Sequence, residues 1–247
     1  MRLAGKTAIV TGGASGFGAG IARKFAAEGA RVVVVDIDGD GAVELAAELG
    51  GGALGLACDV ADGDSVQNLA EAVQAQAGPP DIIVNNAGVT HTPAPLEDVS
   101  EADFDRVFAV NCKSVYLVAR AFVPGMKARG GAILNVASTA GISPRPNLNW
   151  YNASKGWMVT ATKTMAVELA PSGVRVNAIC PVAGETPLLA TFMGEDTPEM
   201  RAKFLSTIPM GRFSTPEDMG NAAAFLCSDE ASMITGVAME VDGGRCI

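Results

Sequence analysis

Apolar residues fall along the chain in short blocks separated by longer stretches of mixed polarity. The blocks lie at 7–11 (TAIVT), 31–36 (RVVVVD), 53–59 (ALGLACD), 81–86 (DIIVNN), 131–138 (GAILNVAS), 174–180 (VRVNAIC) and 237–244 (VAMEVDGG). Continuous apolar runs of this length, rich in Val and Ile, predict strands covered on both faces. The stretches 19–28, 64–77, 111–129, 151–169 and 216–226 carry apolar residues at helical spacing and predict crossover helices. Such alternation is that of an α/β fold: a doubly wound, Rossmann-type parallel sheet of about seven strands with helices on both faces. No Pro- or Ser-rich linker and no abrupt charge shift divides the chain, so one domain is expected over 1–247. The longest stretch without a strand, 181–213, has short helical pieces of its own. Connections that long are commonly functional, and a substrate lid is expected here.

Composition narrows the partners. A net charge of −9 provides no basic field for phosphate backbones or an acidic membrane surface, which leaves small molecules as the expected ligands. The five cysteines (Cys58, Cys112, Cys180, Cys227 and Cys246) are odd in number and widely spaced, without the close pairs of a zinc site or secreted framework. They read as reduced residues of a cytoplasmic protein. The first ten residues, MRLAGKTAIV, lack the apolar stretch and cleavage site of a secretory signal, which agrees with that location.

The first strand runs into TGGASGFGAG, Thr11 to Gly20, which opens a helix. A glycine-rich strand-to-helix turn lets backbone approach a pyrophosphate, whose charge is favoured at the helix N-terminus. Gly12, Gly16 and Gly18 are spaced G-x-x-x-G-x-G, and such a turn also serves tight packing alone. The second strand ends in Asp36, placed to accept hydrogen bonds from adenosine ribose hydroxyls and to repel a 2′-phosphate. Ile37 and Asp38 follow it and supply no arginine for that phosphate, so NAD is favoured over NADP. A helix N-cap or turn residue is the structural alternative for Asp36, a role that Asp38 or Asp40 could serve equally well.

Tyr151 and Lys155 are one helical turn apart, a spacing at which an ammonium can stabilise a phenolate. A tyrosine hydroxyl with a pKa of about 10 must move down by roughly 2 to 3 units to act near neutrality. The same spacing at Tyr116 and Arg120 lies within an amphipathic crossover helix without an upstream serine, and reads as packing.

With these pieces in order, the chain resembles the compact single-domain branch of the short-chain dehydrogenases/reductases. The resemblance rests on TGGASGFG after the first strand, CDV (58–60) after the third and NNAG (85–88) after the fourth. Asn111 in a helix, Ser138 after the fifth strand and YNASK (151–155) complete it. It implies that Tyr151 exchanges a proton with the substrate oxygen while hydride passes to or from the nicotinamide. Ser138 would hydrogen-bond the same oxygen, Lys155 would also hold the nicotinamide ribose, and Asn111 would hold a water on the proton path. Gly12, Ser15, Gly16, Phe17, Gly18, Asp36 and Ile37 would meet the cofactor's phosphate and adenosine half. Asp59 and Val60 would cap the adenine, and Asn86, Ala87 and Gly88 would pass the ribose. Pro181, Val182 and Thr186 would reach the nicotinamide, although Val182 stands where glycine is usual in the family and Phe17 replaces a commoner aliphatic residue.

The implied activity is an NAD-dependent oxidoreductase that interconverts a secondary alcohol and a ketone. The alternative is an NADPH-dependent 3-oxoacyl-carrier-protein reductase, against which Asp36 and the acidic charge argue; a non-catalytic nucleotide sensor would not need Ser138, Tyr151 and Lys155 together. Leu188, Leu189, Phe192, Met193, Phe204 and Leu205 are expected to form an apolar lid, with Trp150 and Met158 flanking the site and Arg145, Asn147 and Asn149 offering polar contacts. His91 beyond NNAG reads as a solvent-exposed residue or a structural hydrogen-bonder, with a substrate contact as the alternative, and no second histidine suggests a metal site. The helices at 111–129 and 151–169, with ASMITGVAMEVDGG, resemble the surfaces through which the family forms homotetramers.

Overall fold

The computed structural model describes residues 1–247. Seven strands, β1 (Thr7–Thr11), β2 (Arg31–Asp36), β3 (Leu54–Ala57), β4 (Ile82–Asn85), β5 (Gly131–Val136), β6 (Val174–Pro181) and β7 (Ala238–Val241), form one sheet. Their order is β3-β2-β1-β4-β5-β6-β7 and every neighbouring pair is parallel.

The register explains why the strands are apolar at every position. Ala8 pairs with Val32, Ile9 with Val33 and Val10 with Val34, and successive side chains point to opposite faces. Ala8, Val10, Val32 and Val34 enter one core, and Ile9, Val33 and Val35 the other. The first core is closed by α1 (Gly16–Ala27), α2 (Gly39–Leu49) and α9 (Pro216–Cys227), the second by α3 (Gly63–Gln76), α5 (Ser114–Lys127) and α6 (Asn149–Leu169). This is the expected doubly wound sheet. Strand order reverses between β1 and β4, which opens a crevice at their carboxyl ends.

Two helices had no counterpart in the apolar spacing. α2 begins in the glycine-containing GDGAVELAAEL, with Asp38 capping it by accepting from the Gly41 N–H at 3.1 Å. α4 (Glu101–Phe108) buries only Val107. It continues through a π-helical turn, Ala109–Lys113, into α5, so the helix expected to begin at 111 begins at Glu101. The stretch 181–213 contains α7 (Leu189–Met193) and α8 (Pro198–Leu205).

Candidate active site

Thr11, the last residue of β1, locks that strand to the end of β4. Its hydroxyl donates to the Val84 carbonyl at 3.2 Å and accepts from the Asn86 and Ala87 N–H groups at 3.0 and 3.2 Å. Asn86 Nδ2 returns hydrogen bonds to the Thr11 and Gly12 carbonyls at 2.9 and 2.8 Å. The glycine-rich turn is thereby held over the crevice. Gly12 and Gly16 take φ of 59° and 52°, the left-handed region open to glycine. Gly18 does not line the cavity: a side chain there would collide with the Gly12 carbonyl and Asn86 Nδ2, so its smallness serves packing within the turn.

At the head of α1, Ser15 makes no side-chain cap and the first turn carries no acid. α2, α3, α4, α8 and α9 all have side-chain caps. Uncapped N–H groups with an unopposed dipole form an anion site where the glycines allow close approach. Asp36 binds the same turn, its carboxylate accepting from Ala14 N–H at 3.0 Å and Asp38 N–H at 3.1 Å. Asp36 is therefore a turn residue that also lines the cavity, and the cap of α2 is Asp38 instead.

From that turn a cavity of ≈ 480 Å³ runs along the strand ends to α6. Its adenosine end has Asp36, Ile37, Asp59 and Val60, its middle Asn86, Ala87 and Gly88, and its far end Ser138, Tyr151, Lys155, Pro181, Val182 and Thr186. Ser15 and Phe17 also line it. Every predicted cofactor residue except Gly18 is therefore brought together.

Tyr151 and Lys155 are both buried, at 4% and 3% exposure, with the Lys155 ammonium 5.9 Å from the Tyr151 ring centroid. Lys155 Nζ donates to the Val136 carbonyl at 2.8 Å. Burial pulls Lys155 down to about 8, while Cys112 and Cys180 act in the other direction. Burial pushes the Tyr151 hydroxyl well above its ordinary value, opposed by hydrogen bonding with Ser138. The protein's own environment thus moves Tyr151 opposite to the expected direction, because desolvation of the phenolate outweighs the hydrogen bond from Ser138. Ser138 Oγ accepts from Ala140 N–H at 3.1 Å, which leaves its own proton to donate.

Asn111 is fully buried in the π-helical turn and lies outside the cavity lining. Its Nδ2 donates to the Val89 carbonyl at 2.9 Å and Ser154 Oγ at 3.0 Å, and its Oδ1 accepts from Val89 N–H at 2.9 Å. The side chain is committed to holding the loop after β4 against α6. Only one Oδ1 lone pair remains for the water expected there.

Comparison with known proteins agrees with this layout. A family model described as enoyl-(acyl carrier protein) reductase matches residues 12–245. The chain is 52% identical to 4-formylbenzenesulfonate dehydrogenase of Comamonas testosteroni, covering all of both chains. It is 45% identical to D-threitol dehydrogenase of Mycolicibacterium smegmatis, covering all of this chain and 95% of that one. A crystal structure of 3-ketoacyl-(acyl-carrier-protein) reductase from Brucella melitensis complexed with NADH superposes with a TM-score of 0.94. Identity there is 51%, over 99% of this chain and 100% of that one. The chain belongs to the short-chain dehydrogenase/reductase family. It is an oxidoreductase of the class acting on CH–OH groups, with a nicotinamide cofactor.

The residues of this dehydrogenase fit such a cofactor. The uncapped α1 and φ-positive glycines suit its pyrophosphate, and a side chain at Gly88 would stand 3.3 Å from Lys155 Nζ and 3.4 Å from Asn111 Oδ1. Phe17 and the loop after β6 are in close contact: a Cβ on Gly184, two positions beyond Val182, would collide with the Phe17 ring. The Phe17 ring is seated against Gly184 as well as against the cavity.

The expected lid residues divide. Leu188, Phe192 and Phe204 line the cavity, with Phe192 edge-on to Tyr151 at 4.9 Å between centroids. Leu189 and Met193 are buried with Val182, Ile208 and Phe213 in the lid's own small core, against which Leu205 packs. Trp150 turns away, donating from Nε1 to the Leu96 carbonyl at 3.2 Å and packing edge-on to Phe104. Met158 lies in a core behind β6, and Asn147 and Asn149 are exposed off the cavity. His91 is buried but off the cavity; its Nδ1 pairs with the Thr92 carbonyl at 2.9 Å. It is not a substrate contact in this geometry. The Tyr116 hydroxyl, read as packing, is half-exposed and accepts from Arg120 at 3.4 Å, away from the site.

The apolar periodicity missed one polar line. Asn85 Nδ2 donates to Asn135 Oδ1 at 2.8 Å, Asn135 Nδ2 donates to Thr162 Oγ1 at 2.8 Å, and Thr162 donates to the Met158 carbonyl at 2.8 Å. All three side chains are buried. They fix α6 against β4 and β5 just behind Tyr151 and Lys155. An asparagine inside the apolar AILNVA is the signal that such a partner exists.

Proposed function

We propose that this dehydrogenase interconverts a secondary alcohol and its ketone with NAD as the preferred cofactor, in one catalytic domain with a lid at 181–213. The reading is carried by one observation: Ser138, Tyr151 and Lys155 converge at one end of a cavity whose other end is the uncapped α1. Tyr151 exchanges the proton with the substrate oxygen, and Ser138, whose O–H is directed to the Tyr151 hydroxyl, hydrogen-bonds that oxygen when substrate is bound and steadies its charge. Lys155 gives one proton to Val136, which leaves two for the nicotinamide ribose and the Tyr151 side. At about 8 it remains largely charged at neutrality. The bound nicotinamide supplies the hydride carrier and, when oxidised, a positive charge. Asn111 acts as a positioning residue.

NAD preference is supported at the adenosine end, where Asp36 and Asp59 line the cavity and no Lys or Arg does. Initial rates with NADH and NADPH on a ketone panel test it. NADH is expected to give the higher kcat/KM, and Asp36→Ala to narrow the gap; a strong NADPH preference in the wild type would overturn the assignment. The relative crystallised with NADH is named a 3-ketoacyl-(acyl-carrier-protein) reductase, which keeps a 3-oxoacyl thioester as the second reading. The charge of −9 disfavours an acidic carrier as partner. A cytoplasmic homotetramer completes the proposal, supported by the reduced cysteines and by apolar side chains exposed on α5 and α6.

A further inference from the structure

Charge is distributed unevenly along the cavity. Its two acids, Asp36 and Asp59, lie at the adenosine end; its two cations, Lys155 and Arg145, lie at the other. Lys155 is accounted for by the proton chemistry proposed above. Arg145 is not. It lies between the end of β5 and the start of α6, on a segment anchored by Asn152, whose Nδ2 donates to the Arg145 carbonyl at 2.7 Å. That asparagine adjoins Tyr151, so one turn of α6 sets the positions of both side chains.

The Arg145 guanidinium is half-buried and pairs with no carboxylate. It lies 4.6 Å from the centroid of the Phe204 ring, and Nη2 donates to Thr207 Oγ1 at 3.1 Å. The charge that bears on it is another cation. Burial first, then Arg245, pulls Arg145 below the usual arginine value. Arg245 also pairs with no carboxylate; its Nη1 reaches Ser143 Oγ at 3.3 Å and its Nε is buried with no partner. In a chain with 27 acids against 18 Lys and Arg, two neighbouring arginines without acidic partners are a concentration of uncompensated positive charge. Five N–H donors on each planar guanidinium suit an oxyanion. Leu148, Leu188, Phe192 and Phe204 wall the space around Arg145 and Tyr151 with apolar surface.

We infer that Arg145 anchors an anionic group on the substrate, a carboxylate or sulfonate borne by an apolar ring or chain whose other end presents the reacting carbon to Tyr151. The inference rests on the alcohol–ketone reading above and makes it specific. Arg245 reinforces the field that draws the anion in. The competing role for Arg145 is mechanical, a latch that holds the lid through Phe204.

Calorimetry with 4-acetylbenzoate, 4-acetylbenzenesulfonate and acetophenone, titrated into protein saturated with NAD⁺, separates the two roles, because ketone and oxidised cofactor do not react. Wild type is expected to bind at least one anionic ketone about tenfold or more tighter than acetophenone. Arg145→Leu should abolish that difference and leave the acetophenone Kd within about threefold, while Arg145→Lys should retain part of it. The preferred anion tells a planar carboxylate from a tetrahedral sulfonate. Equal binding of all three ketones by wild type would overturn the inference, as would an Arg145→Leu variant that weakens all three alike, the behaviour of a latch. Reduction of all three ketones by NADH is measured alongside. Tyr151-dependent turnover without anion discrimination defeats the anchor alone; anion discrimination without turnover of any ketone defeats the alcohol–ketone reading alone.

Discussion

Tyr151 and Lys155 occupy one buried turn of α6, where burial raises the hydroxyl and lowers the ammonium. The Lys155 shift has a signed consequence for stability. Below about pH 8 both folded and unfolded chains hold the Lys155 proton, and the folded state carries the full cost of burying it. Between about 8 and the ordinary value of 10.5 only the unfolded chain holds it, so stability contributed by this group rises with pH. Relative to Lys155→Met, wild type should gain on the order of 3 kcal/mol across that window. Urea unfolding of both proteins at pH 7 and pH 10 measures it, and a constant difference would contradict the shift. The Tyr–Lys spacing was legible in the sequence, but the sense of the Tyr151 shift was not, because spacing carries no information on burial. Arg145 was legible only as a polar neighbour, since its lack of a carboxylate partner depends on the fold around it.

Strands were the most legible elements, because a sheet covered on both faces makes every strand position apolar. Helices with a narrow buried face were not: α4 buries one side chain, and α2 starts among glycines. The π-helical turn at 109–113 lies beyond any reading by period, since it inserts a residue into the helical repeat and in doing so turns Asn111 inward. The asparagine line from β4 through β5 to α6 should be costly to break at its centre. Asn135→Leu strips partners from Asn85 and Thr162 and should destabilise by roughly 2 to 4 kcal/mol, read from urea midpoints. The phosphate turn and the loop after β6 meet through Phe17 and Gly184. Gly184→Ala should weaken folding and cofactor binding, with Phe17→Leu restoring most of the loss; a coupling of about 1 kcal/mol or more in the double-mutant cycle is expected. Additive effects would show that the ring and the loop after β6 do not depend on one another.

The whole molecule is acidic outside, yet it exposes apolar side chains on its second helical layer and near its carboxyl end. Tyr116 is 54% exposed on α5, Val167 77% on α6, and Met233 96% ahead of β7. These fall on the two surfaces from which assembly was expected. Sedimentation equilibrium should return about four times the 25.1 kDa chain mass, and Val167→Glu should shift the particle to a smaller species. A wild-type monomer would remove the tetramer from the account. The fold as a whole was legible because apolar strand blocks alternate with helical spacing and six short motifs fall in order along them, four after strands and two in helices. The substrate end was less so, because the lid stretch divides between cavity wall and lid core in a way its apolar spacing does not reveal.

The most direct measurement is the rate of ketone reduction by NADH in wild type and Tyr151→Phe, with the NADH Kd of each determined separately. If Tyr151 delivers the proton, the variant loses roughly 10²- to 10⁴-fold in kcat while its NADH Kd stays nearly unchanged. Equal turnover by the two proteins would contradict the assignment of Tyr151.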